Sequence, residues 1–353
     1  MLTATSNHCD VGNEQSEVLR LARLARAAGY GGSPESALKS IRDAFLLLGD
    51  DGDAHVTADL LRWQGSILRE RGHTSAAEPL YRRSLEIARR IEYDAGIAHA
   101  LNCLAALEQR RGNINRAAHL VTDALGLAEQ CGDRRLIGIL QQNLGMFADI
   151  RGNAAAALGH YSVALRTLEA ENDAEPIPRL LNNLGVLYGK EGRHDDARAA
   201  FRRASSIARR NGDLACEGVI EESRAEFELL CDAVDEAYAP LIRAYDIANQ
   251  RGDDLGRASA LKLRGAYQRL CGRPIEAADT LRYALTLSAV AEDALLGAET
   301  LYQFGLALFA AGQRSEARES WRAALDAFER IAARPWVTRV RHRLSVGLTG
   351  RYY

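Results

Sequence analysis

The chain is predicted to be an all-α, right-handed α-solenoid of eight antiparallel helix pairs with a C-terminal capping helix. Three observations carry that reading. Gly32, Gly72, Gly112, Gly152, Gly192, Gly272 and Gly312 recur on a period of 40, with Asp232 in the remaining slot. Five residues after each slot stands an alanine: Ala37, Ala77, Ala117, Ala157, Ala197, Ala237, Ala277 and Ala317. With 60 alanines in 353 residues, chance fills that column roughly once in a million. A small residue seven places before each slot (Ala25, Gly65, Ala105, Gly145, Gly185, Ala225, Gly265, Gly305) is matched by an apolar one nine places after it (Ile41, Tyr81, Val121, Tyr161, Phe201, Leu241, Leu281, Trp321).

Each unit follows from these columns. Ahead of the glycine, as in "LLNNLGVLYGKEG" from Leu180, apolar residues recur at i, i+3 and i+4, which is helical and not strand periodicity. This is helix A. Just past its end the backbone turns left-handed, which glycine adopts without steric cost. Pro34 and Pro274, two residues beyond their glycines, fit the first turn of a second helix, B, where a missing N–H is harmless. The small residues let A and B approach to about 8–10 Å and leave room for the bulky residue opposite. The pairs Gly132-Asp133, Gly212-Asp213 and Gly252-Asp253 end helix B and provide an aspartate cap for the next helix A. Pro79 and Pro240 fall inside helix B and are expected to bend it. The segment "RPWVTRVRHRLSVGL", with Pro335 at its start, reads as a terminal cap. The expected organisation is a disordered tail over 1–13, eight units over 14–333, and a cap and tail over 334–353.

Composition limits the functions available. Lys+Arg number 45 against 47 Asp+Glu, a net charge of -2, so the whole chain has no general attraction to phosphate backbones or anionic membranes. Hydrophobic residues are 47% and aromatic ones 6%, which suits close-packed helices. No run approaches the ~18 apolar residues of a membrane span, and "MLTATSNHCDVGNEQSE" lacks a cationic start ahead of an apolar stretch, so a cytoplasmic location is expected. The six cysteines form no C-x-x-C. Cys103, Cys131, Cys216, Cys231 and Cys271 read as small core residues and Cys9 as part of the tail. The histidines show no metal-site spacing, and no phosphate-loop, nucleophile-elbow or dinucleotide motif exists. No enzyme activity, cofactor or metal is expected.

The columns resemble the tetratricopeptide repeat: Leu184-Gly185 in helix A, Gly192 at the turn, and Ala197, Phe201 and Ala204 in helix B match its motif. The usual repeat is ~34 residues. The longer unit here is similar to the long-helix subclass of bacterial signalling regulators, kinesin light chains and GoLoco-type polarity adaptors. The resemblance implies a protein–protein interaction module, an adaptor, scaffold or signalling regulator, whose concave face is lined by helix A. Carried over by position, the groove residues are Arg62, Arg69, His99, Asn102, Gln109, Gln142, Met146, Arg179, Asn182, Glu222, Glu226, Lys262, Arg269, Tyr302, Leu306 and Phe309. Asn102, Gln142 and Asn182 share one column and would form an amide ladder for an extended peptide backbone, or else meet only water.

Arg62, Arg69, His99 and Arg179 make the N-terminal half of the expected groove basic, while Tyr302, Leu306 and Phe309 make its end apolar. The expected ligand is an acidic protein or peptide segment with an apolar anchor. Coverage of Tyr302 and Phe309 by the cap, or by a second copy of the chain, is the alternative. Another reading is a sensory subunit acting on a separate effector chain. A convex stripe of Arg42, Arg82, Arg202, Arg282 and Arg322 could touch nucleic acid, but interspersed acids and the lack of stacking aromatics favour an ordinary solvated face.

Overall fold

The computed structural model describes residues 34–49, 52–171, 173–290, 293–331 and 333–346, together with Glu17, Arg20 and Leu21. Most of the expected first helix A with Gly32, the tail over 1–13 with Cys9, and the end beyond Val346 lie outside the described residues. Among the described residues there are sixteen helices and no strand. They are α1 (Pro34–Leu48), α2 (Ala54–Glu70), α3 (Thr74–Arg90), α4 (Asp94–Arg110), α5 (Ile114–Gln130), α6 (Arg134–Ile150), α7 (Ala154–Ala170) and α8 (Ile177–Lys190). Then follow α9 (His194–Arg210), α10 (Leu214–Leu230), α11 (Val234–Arg251), α12 (Asp254–Leu270), α13 (Pro274–Val290), α14 (Ala294–Ala310), α15 (Arg314–Arg330) and α16 (Arg334–Val346). Even numbers up to α14 are A helices, odd numbers are B helices, and α16 is the terminal helix.

The turns between A and B take the left-handed backbone at Gly72, Gly112, Gly152, Gly192, Gly272 and Gly312. Asp232 adopts it too, at φ 58°, which costs an L-residue roughly 1–2 kcal/mol. Asp53, Asp133, Asp213, Asp253 and Asp293 cap the A helices by accepting from the amides of His55, Leu136, Cys216, Gly256 and Leu296. Helix α8 begins late, at Ile177, because Pro176 and Pro178 lack N–H donors and fit only a first turn. Helices α3 and α11 run unbroken past Pro79 and Pro240.

Within each pair, a bulky residue of helix B fills the space that a glycine of helix A leaves. A methyl group at Gly65 would lie 2.7 Å from the Tyr81 ring, at Gly145 2.6 Å from Tyr161, at Gly185 2.8 Å from Phe201, at Gly265 2.4 Å from Leu281 and at Gly305 2.4 Å from Trp321. Where the small residue is alanine, at Ala105 and Ala225, the opposing column holds Val121 and Leu241 and no aromatic ring. Tyr81, Phe201 and Trp321 are 1% exposed or less, each worth about 1.5–3 kcal/mol on the hydrophobic scale. Of the cysteines expected in the core, Cys216 is buried and Cys103 and Cys231 half-buried, but Cys131 and Cys271 are exposed. They sit one residue past helices α5 and α12, at C-caps that face solvent.

Neighbouring A helices pack directly at α2/α4, α6/α8, α8/α10, α10/α12 and α12/α14, and no two neighbouring B helices approach comparably. The array therefore curves with its A helices inside. Curvature brings distant units together. Glu70 at the end of α2 lies 3.9 Å from Arg251 at the end of α11. A methyl group at Gly112, after α4, would stand 2.7 Å from both Cβ and the carbonyl oxygen of Ile331, after α15. At the far end α16 lies on α15, with Trp336 stacked on Phe328 at 5.0 Å and edge-on to Tyr302 at 5.5 Å.

Candidate functional site

The inner wall is built from one strip of each A helix, and the forty-residue register keeps equivalent side chains side by side. Arg62 on α2 is held by Asp59 at 2.8 Å, and His99 on α4 lies 3.5 Å from Asp133. Burial holds the His99 imidazole below its ordinary pKa, against the opposing pull of Asp133. Arg69 lies in the last turn of α2, 3.8 Å from Glu70, and Arg179 is exposed near the start of α8.

The amides are less solvated than an open face would leave them. Gln142 is 3% and Asn182 5% exposed. Asn102 accepts from Asn143 Nδ2 at 2.7 Å, and Gln109 Nε2 donates to Met146 Sδ at 3.4 Å. Asn182 Oδ1 is buried without a hydrogen-bond partner, an uncommon condition for a polar atom. The water-facing alternative does not describe Gln142 or Asn182.

On α10, α12 and α14 the wall becomes ionic. Lys262, 8% exposed, donates to Glu299 at 2.6 Å, and Ser259 Oγ donates to Glu222 at 2.9 Å. Burial pushes the Glu222 carboxyl up to about 8 and raises that of Glu299 as well. Glu226 is exposed. Arg269 is half-buried, its Nε lacks a partner, and burial lowers its pKa.

The apolar end is arranged differently from the sequence expectation. Tyr302 is 6% exposed and touches Trp336, Phe309 lies against Trp321 at 5.7 Å, and Leu306 packs on the same cluster. These side chains are engaged with α15 and α16 and do not form an open anchor pocket. The outer arginines are neutralised locally: Arg82 by Glu78, Arg282 by Asp279, and Arg209 by Glu217 and Glu221.

Sequence reasoning missed Arg110, the last residue of α4. Its Nη1 is buried without a partner, and burial, then the Arg69 charge, lowers its pKa. Reading helix A only at three residues before the glycine selected Gln109 and passed over it. Among the described residues, no three His, Cys, Asp or Glu side chains are placed to hold a metal ion, and no helix is long and apolar enough to cross a membrane.

An inner wall of A helices, glycine turns and interlocked crossings defines an all-α tetratricopeptide-type solenoid. The tetratricopeptide-repeat family model matches residues 178–211, a single unit centred on the turn at Gly192. The protein KINESIN LIGHT CHAIN-RELATED 2 of Arabidopsis thaliana is 24% identical over 173 residues, 45% of this chain and 25% of that relative, so the chain spans about a quarter of the relative's length. A Rap protein complexed with Competence and Sporulation Factor superposes with a TM-score of 0.73 at 13% identity, over 94% of this chain and 89% of that one. The apo quorum sensor NprR of B. thuringiensis gives 0.58 at 15% identity, over 89% and 87%. Aspartyl phosphate phosphatase F of Bacillus subtilis gives 0.58 at 10%, over 83% and 74%. One unit of the chain thus matches the tetratricopeptide repeat, and the chain resembles a kinesin light chain relative in sequence and these solved structures in fold.

Proposed function

We propose that the protein is a non-enzymatic interaction module of the cytoplasm that holds an extended peptide segment against its inner wall. The observation that carries this reading is the amide column. Asn102, Gln142 and Asn182 hold one register position on α4, α6 and α8, and the Asn182 carbonyl oxygen is buried and unmet. An extended backbone offers N–H donors at a repeating spacing, which such a column can receive. Arg62, Arg69 and Arg179 flank it, so an acidic segment is favoured, the charges acting mainly on encounter rate and orientation. The enclosure of Tyr302 and Phe309 moves any apolar anchor of the ligand away from them, toward half-buried Met146. Self-association is the competing use of the same wall.

The test is selection from a phage-displayed library of free peptides, followed by titration of the selected sequences. We expect acidic peptides, with Asn102→Ala plus Asn182→Ala weakening binding more than tenfold, about 1.4 kcal/mol or more. Arg82→Ala plus Arg202→Ala on the outer face should leave binding unchanged. A convex pair that weakens binding while the inner pair leaves Kd unaltered would overturn the reading.

A further inference from the structure

The contact between the two ends of the coil is more than a consequence of curvature. On one side stand Arg69 and Glu70 of α2, Arg110 of α4 and the turn at Gly112. On the other stand Arg179 of α8, Arg251 of α11, the capping residues Asp213, Asp253 and Asp293, and Ile331 after α15. The two closest approaches, Glu70 to Arg251 at 3.9 Å and Gly112 against Ile331, each join residues more than half the chain apart. Burial marks the first of these. In the forty-residue register, Cys131, Glu171 and Asn211 are exposed and Ile91 and Ile331 half-buried, whereas Arg251, the last residue of α11, is 6% exposed.

The seam is electrostatically matched. Two arginines and a glutamate face two arginines and three aspartates, so a net positive edge meets a net negative one. Asp253 and Asp293 lie near enough to favour the Arg110 charge, and Glu70 to favour that of Arg179, while Arg69 opposes Arg179 and Glu70 opposes Asp213 and Asp253. Salt screens attraction between exposed charges strongly and between buried ones much less; in the Glu70–Arg251 contact the glutamate is part-exposed and the arginine buried. Beside the seam, Arg69 Nε and Arg110 Nη1 are buried with no hydrogen-bond partner, and unmet polar atoms oppose burial. Closure is therefore drawn together by screenable charge and opposed by unsatisfied polar groups beside the inner wall.

We propose that this seam is a releasable latch: shut, it holds the coil closed over the inner wall, and open, it widens access to that wall. The latch is a property of the free chain and does not depend on the peptide reading.

The experiment is small-angle scattering on the full chain without ligand. Raising NaCl from low to molar concentration should increase the radius of gyration by about a tenth as the coil opens. Arg110→Glu should open it at low salt, and Arg110→Asp with Asp253→Arg should reclose it. Gly112→Ala should open it by clashing with Ile331, while Gly152→Ala carries the same left-handed penalty at a turn with nothing within 4 Å and should not. If a variant fails to fold, the salt series on the unaltered protein still decides. A radius that ignores salt, or that responds equally to Gly112→Ala and Gly152→Ala, overturns the latch.

Discussion

The inner wall changes character halfway round. From α4 to α8 its central register is neutral, with Asn102 bonded to Asn143, Gln142 buried and Asn182 unmet. From α10 to α14 the same register carries Glu222 and Lys262, with Glu299 one turn away. An amide left without a partner costs a protein little enough to be kept for a ligand. A buried charge without one costs several kcal/mol and must be met from within the chain. Lys262 and Glu299 meet each other; Glu222 accepts from the Ser259 hydroxyl, with the Lys262 charge nearby. The neutral half is therefore the better candidate for ligand contact, and the ionic half for stability.

The largest test of that contrast is Lys262→Met, which leaves Glu299 buried without its cation. A loss of about 3–5 kcal/mol is expected in chemical denaturation, against about 1–2 kcal/mol for Gln142→Leu in the neutral half. Equal losses would erase the distinction. Next come Gly145→Ala and Gly265→Ala, one in each half, whose new methyl groups meet Tyr161 and Leu281. Each should cost about 1–3 kcal/mol, and similar costs would show that the helix crossing is common to both halves and only the wall differs.

A smaller effect is pH dependence confined to the ionic half. The Glu222 carboxyl is raised from 4.5 to about 8 in the folded chain, so between those values the folded form holds a proton that the unfolded form has lost. Stability from this group thus falls as pH rises through that window. The charges around it are Glu226 on its own helix, Asp253 at the cap of α12 and Lys262 on α12. Glu222→Gln should flatten part of the fall in melting temperature between pH 5 and 9, and an unchanged slope would remove Glu222 from the account. The smallest effect expected is for Asn143→Ala, about 1 kcal/mol from the lost bond to Asn102, with the melting temperature as the readout.

Most of the architecture was legible in the sequence because a repeat specifies its contacts locally. Gly185 and Phe201, Gly305 and Trp321, and the capping aspartates all act within one unit or between neighbours. The candidate site was legible in register but not in environment. Nothing at Gln142 or Asn182 announces burial, since their exposure depends on how far the coil curls, a sum of small rotations over every unit. Arg110 and Gly112 escaped notice for the same reason: their partners stand at the other end of the chain. The enclosure of Tyr302 depends on where Trp336 docks, which a helix outside the repeating pattern does not reveal by period.

The meeting of Gly112 with Ile331 makes the length of the array itself a measured quantity. In an open solenoid a unit can be added or removed with each neighbour contact preserved, and stability changes by roughly one increment. Here the count of units fixes which turn arrives beneath which helix end. Excision of residues 154–193 would leave the local packing rules intact and yet present the wrong surface to Gly112, so the coil would lose its closure while keeping its helices. Circular dichroism unchanged per residue, together with an enlarged radius of gyration, is the expected signature. The array is long enough for its last unit to reach its third, and its period is the ruler by which it does so.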